Sequence, residues 1–114
     1  MNYSLIIPFF NEEKNIQSLL TNLYDSLNNL KNENRNFEII LIDDGSTDHT
    51  FDNLRNYSKK EFKTIILKHK VNKSQSSAIM SGINNSNYEN IITIDGDGQN
   101  GFPQGVNHRG LYEF

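Results

Sequence analysis

Four short apolar runs punctuate an otherwise polar chain: Tyr3 to Phe10, Phe37 to Ile42, Thr64 to Leu67 and Ile91 to Ile94. They are rich in β-branched and other apolar residues and lack strict alternation, which predicts strands buried on both faces. Between the first two, Ile16, Leu19, Leu20, Leu23, Leu27 and Leu30 recur at helical spacing, uninterrupted by glycine or proline. Asn11 is the predicted N-cap of that helix, with Glu12 and Glu13 complementing its N-terminus. Phe51, Leu54 and Tyr57 predict a shorter second helix, capped by Ser46, Thr47 or Asp48. Ala78, Ile79, Gly82 and Ile83 predict a third, in which Ala78 and Gly82 serve close packing.

Strands alternating with helices imply right-handed crossovers, hence an α/β fold with a parallel sheet and flanking helices. The pattern fills residues 1–100. Residues 101–114 carry no helical or strand period, hold glycine, aromatics and one of the two prolines, and read as an irregular C-terminal tail. Residues 84–90 form a polar connection rather than a domain linker.

The 114 residues suffice for one domain with a modest core. The net charge of −3 and pI of about 5.5 give no sign of a nucleic-acid partner. The absence of cysteine removes disulfides, thiolate catalysis and cysteine-based zinc sites. His49, His69 and His108 are scattered without ligand spacing. No apolar stretch approaches the roughly 18–20 residues of a membrane span, and the N-terminus lacks the layout of a secretory signal.

Ligands of open parallel sheets bind outside the carboxyl ends of the strands, and three of the four predicted ends carry carboxylates. The first ends in Pro8-Phe9-Phe10-Asn11-Glu12, the second in Asp43-Asp44-Gly45-Ser46, and the fourth in Asp95-Gly96-Asp97-Gly98-Gln99. Alternate side chains of an extended chain share one side, so Asp95, Asp97 and Gln99 converge if the chain stays extended. Such clustered oxygens suit a hard divalent cation, Mg²⁺ or Mn²⁺, carrying a phosphorylated ligand. A calcium loop of EF-hand type is excluded, because its sixth position would be Asn100 and its twelfth Val106. Lys73, the cation near the start of the third helix, faces either a diphosphate or solvent. Asp-Asp-Gly-Ser also makes good turn sequence, with Gly45 able to take positive φ.

These segments together resemble the family 2 glycosyltransferases. Ser4 to Glu13 (SLIIPFFNEE) is similar to the opening of that family, and Glu38 to Asp48 (EIILIDDGSTD) to its second signature. Asn72-Lys73-Ser74-Gln75-Ser76-Ser77-Ala78 with Gly82 is similar to its Asn-x-Gly-x-x-x-Ala-x-x-x-Gly segment. Asp95 to Asn100 (DGDGQN) resembles its metal motif, notably in the dolichol-phosphate mannose synthase-like branch. Four motifs in order are far more specific than one.

The resemblance implies the nucleotide-binding half of a GT-A, Rossmann-like fold. It places Pro8, Phe10 and Glu12 near the nucleotide, Asp43 on the base, Asp44 beside it, and Asp95, Asp97 and Gln99 on the metal. It implies a UDP- or GDP-sugar donor, inverting transfer to a lipid phosphate, polysaccharide or protein, and a location in the cytoplasm or at the cytoplasmic face of the membrane. The alternatives are a non-catalytic module that binds a nucleotide or nucleotide sugar, and a different parallel α/β enzyme. The latter is disfavoured by the absence of a glycine-rich loop after the first strand.

Two departures stand out. Ser74 occupies a position where glycine is usual, a strain if positive φ is needed there. After the metal motif, Gly101-Phe102-Pro103 replaces the usual Asp-Pro and helix. No catalytic base is assigned: Glu113 is the one carboxylate in the tail, and nothing around it supports that role. A truncated product of marginal stability and low solubility is the corresponding expectation.

Overall fold

A computed structural model describes residues 1–30, 34–96 and the backbone of 111–112. The elements are β1 (Asn2–Phe9), α1 (Ile16–Leu30), β2 (Asn36–Asp43), α2 (Thr50–Tyr57), β3 (Lys63–Lys68), α3 (Gln75–Asn84), β4 (Asn90–Thr93) and β5 (Leu111–Tyr112). They build one sheet in the order β3-β2-β1-β4-β5, with every pairing parallel. The order reverses at β1: β2 and β3 are laid down on one side of it, β4 on the other.

The apolar strands fill two cores because their side chains alternate between faces. Leu5, Ile7 and Phe9 join Ile39 and Leu41 under α1 and under Leu54 of α2. Ile6, Ile40 and Ile42 turn the other way, onto Ala78 of α3 and Ile91 of β4. Gly82 lets α3 approach the sheet: a Cβ there would lie 2.5 Å from Ile6 Cγ2 and 3.0 Å from Ile42 Cδ1. Both small residues of α3 therefore serve packing, as the sequence suggests.

Several local expectations are corrected. The third apolar run is not buried on both faces; residues 64–67 are half-buried because β3 is an edge strand. Helix α1 starts at Ile16 rather than after Asn11, since a turn closed by Asn15 N–H onto the Glu12 carbonyl (3.0 Å) comes first. Asn11 itself sits at φ 51°, and its side chain serves another loop. The N-cap position of α2 is His49, which makes no side-chain cap bond; the carboxylate of Asp48 takes the Thr50 N–H instead. Within the segment expected to be an irregular tail, Leu111–Tyr112 pairs with Ile91 and Ile92, a fifth strand too short to carry a sequence period.

Candidate functional site

The loops after β1 and β2 are clasped together. Asn11 N–H donates to Ser46 Oγ (2.9 Å) and Glu12 N–H to Thr50 Oγ1 (2.9 Å). In return Thr47 N–H donates to Asn11 Oδ1 (2.8 Å) and His49 N–H to Glu13 Oε2 (3.1 Å). Asp48 accepts from Thr50 N–H and Oγ1 (2.9 and 2.5 Å) and from Glu13 N–H (3.3 Å). Partial burial pushes the Asp48 carboxyl up, but these donors outweigh it and hold the group below the usual carboxylate range. Much of the polar sequence at 11–13 and 46–50 is thus spent fixing one loop against the other.

Asp44 organises the next loop. Its Oδ1 accepts from Lys73 N–H (3.0 Å) and from the His69 ring at Nδ1 (2.8 Å), and its Oδ2 from the Asn72 amide (3.0 Å). A carboxylate only accepts, so Nδ1 of His69 carries the proton, and Nε2 meets Ser81 Oγ at 2.8 Å. Asp44, His69 and Ser81 have the composition of a hydrolytic triad, but Ser81 sits in the middle of α3 and does not line the cleft described below. The chain of contacts therefore positions the β3–α3 loop. Gly45, at φ +75°, is needed for the same approach: a Cβ there would lie 2.3 Å from Asn72 N.

The cleft opens where β1 and β4 part. The β1–β2 ladder continues to Phe9 and Asp43, whereas the β1–β4 ladder ends at Ile6 and Thr93. Pro8, which has no N–H to donate, lies opposite Ile42 of β2 but beyond the end of the β4 ladder. Beyond it lies a cleft of about 380 Å³ between the β1 end, the residues after β4 and the start of α3. This volume lies at the low end of small-molecule sites, roughly 300–1,000 Å³. The position is the topological switch point, where open α/β sheets bind ligands.

Five of the residues singled out from sequence line this cleft: Pro8, Phe10, Glu12, Asp44 and Asp95. Phe10 is 44% exposed at its rim. Glu12 Oε2 accepts the Asn15 amide (2.6 Å), and Asp95 Oδ1 accepts the Gln75 amide (3.1 Å). Asp43 and Lys73 do not line it. Asp43 is fully buried: Oδ1 accepts from Ser46 N–H (3.1 Å), closing the expected turn, and Oδ2 has no hydrogen-bond partner among the described residues. The Lys73 residue is exposed. Asp97 and Gln99 lie outside the described residues.

Sequence reasoning missed Phe9, Asn72, Ser74, Gln75 and Gly96 in the lining. The resemblance flagged the segment from Asn72 to Gln75 as a motif without giving its polar side chains a role. Gly96 is required sterically, since a Cβ would lie 2.1 Å from the Pro8 carbonyl oxygen. Ser74 is unstrained: its φ of 169° is extended, and its hydroxyl accepts from Ser77 N–H at the start of α3 (3.0 Å). No three carboxylate or imidazole groups among the described residues gather to hold a metal ion. Of the expected metal set of Asp95, Asp97 and Gln99, Asp95 alone lies among the described residues; both oxygens of Asp44 are engaged by protein donors.

Residues 4–101 match the family described as Glycosyl transferase family 2. The chain belongs to this family. Among the curated family 2 relatives it is 37% identical over 100 residues to the undecaprenyl-phosphate 4-deoxy-4-formamido-L-arabinose transferase of Proteus mirabilis (strain HI4320), covering 85% of this chain and 29% of that protein. It is 35% identical over 101 residues to the dodecaprenyl-phosphate galacturonate synthase of Rhizobium johnstonii, covering 88% and 29%. The chain thus spans under a third of the length of these relatives. In structure it is similar to S. aureus TarS, with a TM-score of 0.70 and 25% identity over 85% of this chain and 17% of TarS. The family 2 sheet and its flanking helices are therefore those of a GT-A glycosyltransferase.

Proposed function

We propose that this chain is the donor-binding part of a family 2 glycosyltransferase, which holds a UDP- or GDP-sugar in the cleft between the ends of β1 and β4. The observation that carries the reading is the convergence of Pro8, Phe10 and Glu12 from the first motif with Asp44, Gln75 and Asp95 from the other three on one cleft at the switch point. Phe10 offers an apolar face to a base or ribose. Ser74 and Gln75 bring the start of α3 to the opposite wall, where backbone N–H groups favour a diphosphate, with Lys73 next in sequence.

Asp95, with Asp97 and Gln99, is the proposed Mg²⁺ or Mn²⁺ set, and such an ion would offset charge developing on the leaving diphosphate. Asp95 already faces the cleft; in this reading Gln75 orients its carboxylate. Transfer in the whole protein is direct displacement with inversion. The names of the curated relatives favour a polyprenyl phosphate as acceptor, with the reaction at the cytoplasmic face of a membrane. Among the described residues no helix is long and apolar enough to cross one.

Titration with UDP-sugars and GDP-sugars, with and without Mn²⁺, tests the reading. Metal-dependent binding is expected for one nucleotide, and Asp95→Asn is expected to weaken it at least tenfold. Equal binding by the variant, or none by the native chain, sinks it. Binding without sugar release or transfer would leave the non-catalytic module.

A further inference from the structure

Charge on this chain is segregated. Seven of its eleven cationic side chains and one of its fourteen carboxylates fall between Arg55 and Lys73, an excess of six positive charges on a chain of net charge −3. That segment is the last turn of α2, the turn after it, β3, and the loop into α3. Among the described residues β3 pairs with β2 alone, so the segment forms one margin of the sheet. All seven cations are exposed. Two exposed apolar residues lie among them: Val71 at 63%, next to Lys70 and two positions before Lys73, and Tyr57 at 39%.

Lysines on an edge strand also guard against sheet-to-sheet pairing. Lys63 and Lys68, at the ends of β3, suffice for that. Arg55, Lys59, Lys60, Lys70 and Lys73 lie off the strand, where no ladder can form, and an exposed valine between lysines works against a purely protective surface. The carboxylates facing the margin neutralise it only in part, at Lys63, which pairs with Glu38. Glu38 is buried and lies 3.7 Å from the Lys63 ammonium. Asp43 and Asp44 are buried, leaving Asp52 and Glu61 exposed.

We propose that this margin, with Lys60, Lys68, Lys70 and Val71 as its principal contacts, docks the protein on an anionic phospholipid surface. A flat bilayer meets the basic edge alone and leaves the acidic remainder in solvent. β3 is about 20 Å long, so cations at both its ends and along the loop reach the surface when the edge lies against it. Lysine stems lie along the headgroup region while their ammonium groups meet lipid phosphate, and Val71 enters the interface between them. Duplex nucleic acid would satisfy the lysines but offers nothing apolar to the valine. The inference stands apart from the donor reading, since vesicle binding is measured without nucleotide.

The test is co-sedimentation of the full chain with vesicles of phosphatidylcholine alone and of phosphatidylcholine with phosphatidylglycerol. Binding is expected only to the second kind, and raised salt should reverse most of it. The triple variant Lys60→Gln, Lys68→Gln, Lys70→Gln should lower the partition coefficient roughly a hundredfold, and Val71→Ser several-fold. The off-edge double variant Lys14→Gln, Arg35→Gln should change it little. The chain has no tryptophan, so Val71→Trp adds a single emission reporter that should shift to the blue with anionic vesicles, a readout that survives misfolding of the triple variant. No binding, equal binding to both vesicle types, native partition in a folded triple variant, or an unshifted Val71→Trp spectrum each overturns the proposal. So does retention on duplex DNA without vesicle binding.

Discussion

At the scale of single residues, the chemistry suggested by the motif strings divides into groups that face the cleft and groups that hold the backbone around it. Gly45 belongs to the second kind, because positive φ and the 2.3 Å approach to the Asn72 backbone both forbid a side chain. Gly45→Ala is expected to destabilise the fold by about 1–3 kcal/mol, read from the urea unfolding midpoint; a native midpoint would contradict the geometry. His69 acts through Asp44. His69→Ala removes one donor from a buried carboxylate, a loss on the order of 1–3 kcal/mol. It should also shift the amide resonance of Lys73, whose N–H shares the same Asp44 oxygen. An unmoved Lys73 resonance in the folded variant would show that the ring does not position the loop.

At the scale of elements, the start of the sheet carries a buried carboxylate on β2. Glu38 Oε2 accepts from Ser4 Oγ (2.5 Å) and Asn87 N–H (2.7 Å), and Oε1 from the Asn87 amide (2.9 Å). Burial pushes its carboxyl up, but the Asn87 and Ser4 donors and the Lys63 charge outweigh burial and leave it below the ordinary value of 4.5. A depressed folded value stabilises the fold above the unfolded value, and that contribution is lost as pH falls through the folded one. The urea midpoint is therefore expected to fall as pH drops below about 4.5. Glu38→Gln should be less stable at neutral pH and show a flatter acid limb; a limb as steep as native would refute the assignment. Asp48 contributes with the same sign.

The elements also show why some of the pattern was legible and some was not. The strands β1 and β2 were readable because central strands of a parallel sheet are apolar on both faces. β3 has the same composition, yet it lies at the margin, and one strand's sequence does not reveal its place in the sheet order. The start of α1 was misread because Asn11 looks like a cap. Its amide side chain instead bonds across to Thr47, thirty-six positions away, a contact with no local signature.

At the scale of the whole molecule, the strand order explains the site. Reversal at β1 parts the carboxyl ends of β1 and β4, and the cleft that results collects residues from all four motif strings. The Asp95→Asn titration belongs to this scale, because Asp95 is effective only where β4 delivers it opposite Phe10 and α3. The segregation of cations to the β3 side is likewise a property of the assembled sheet, though the run from 55 to 73 is visible in the string.

The amino-acid sequence alone determined the element order from β1 to β4, the two-faced burial of the central strands, the family and the carboxylates at the strand ends, since each rests on local period or on residues close in the chain. Which of those carboxylates line the cleft was decided by the tertiary structure. Asp43 and Asp44 are adjacent in the chain, yet one is sealed in the core and the other lines the cleft while bonding three partners from the loop beyond β3. That difference arises from long-range packing, in which the donors that capture each oxygen come from segments that meet only once the sheet is built.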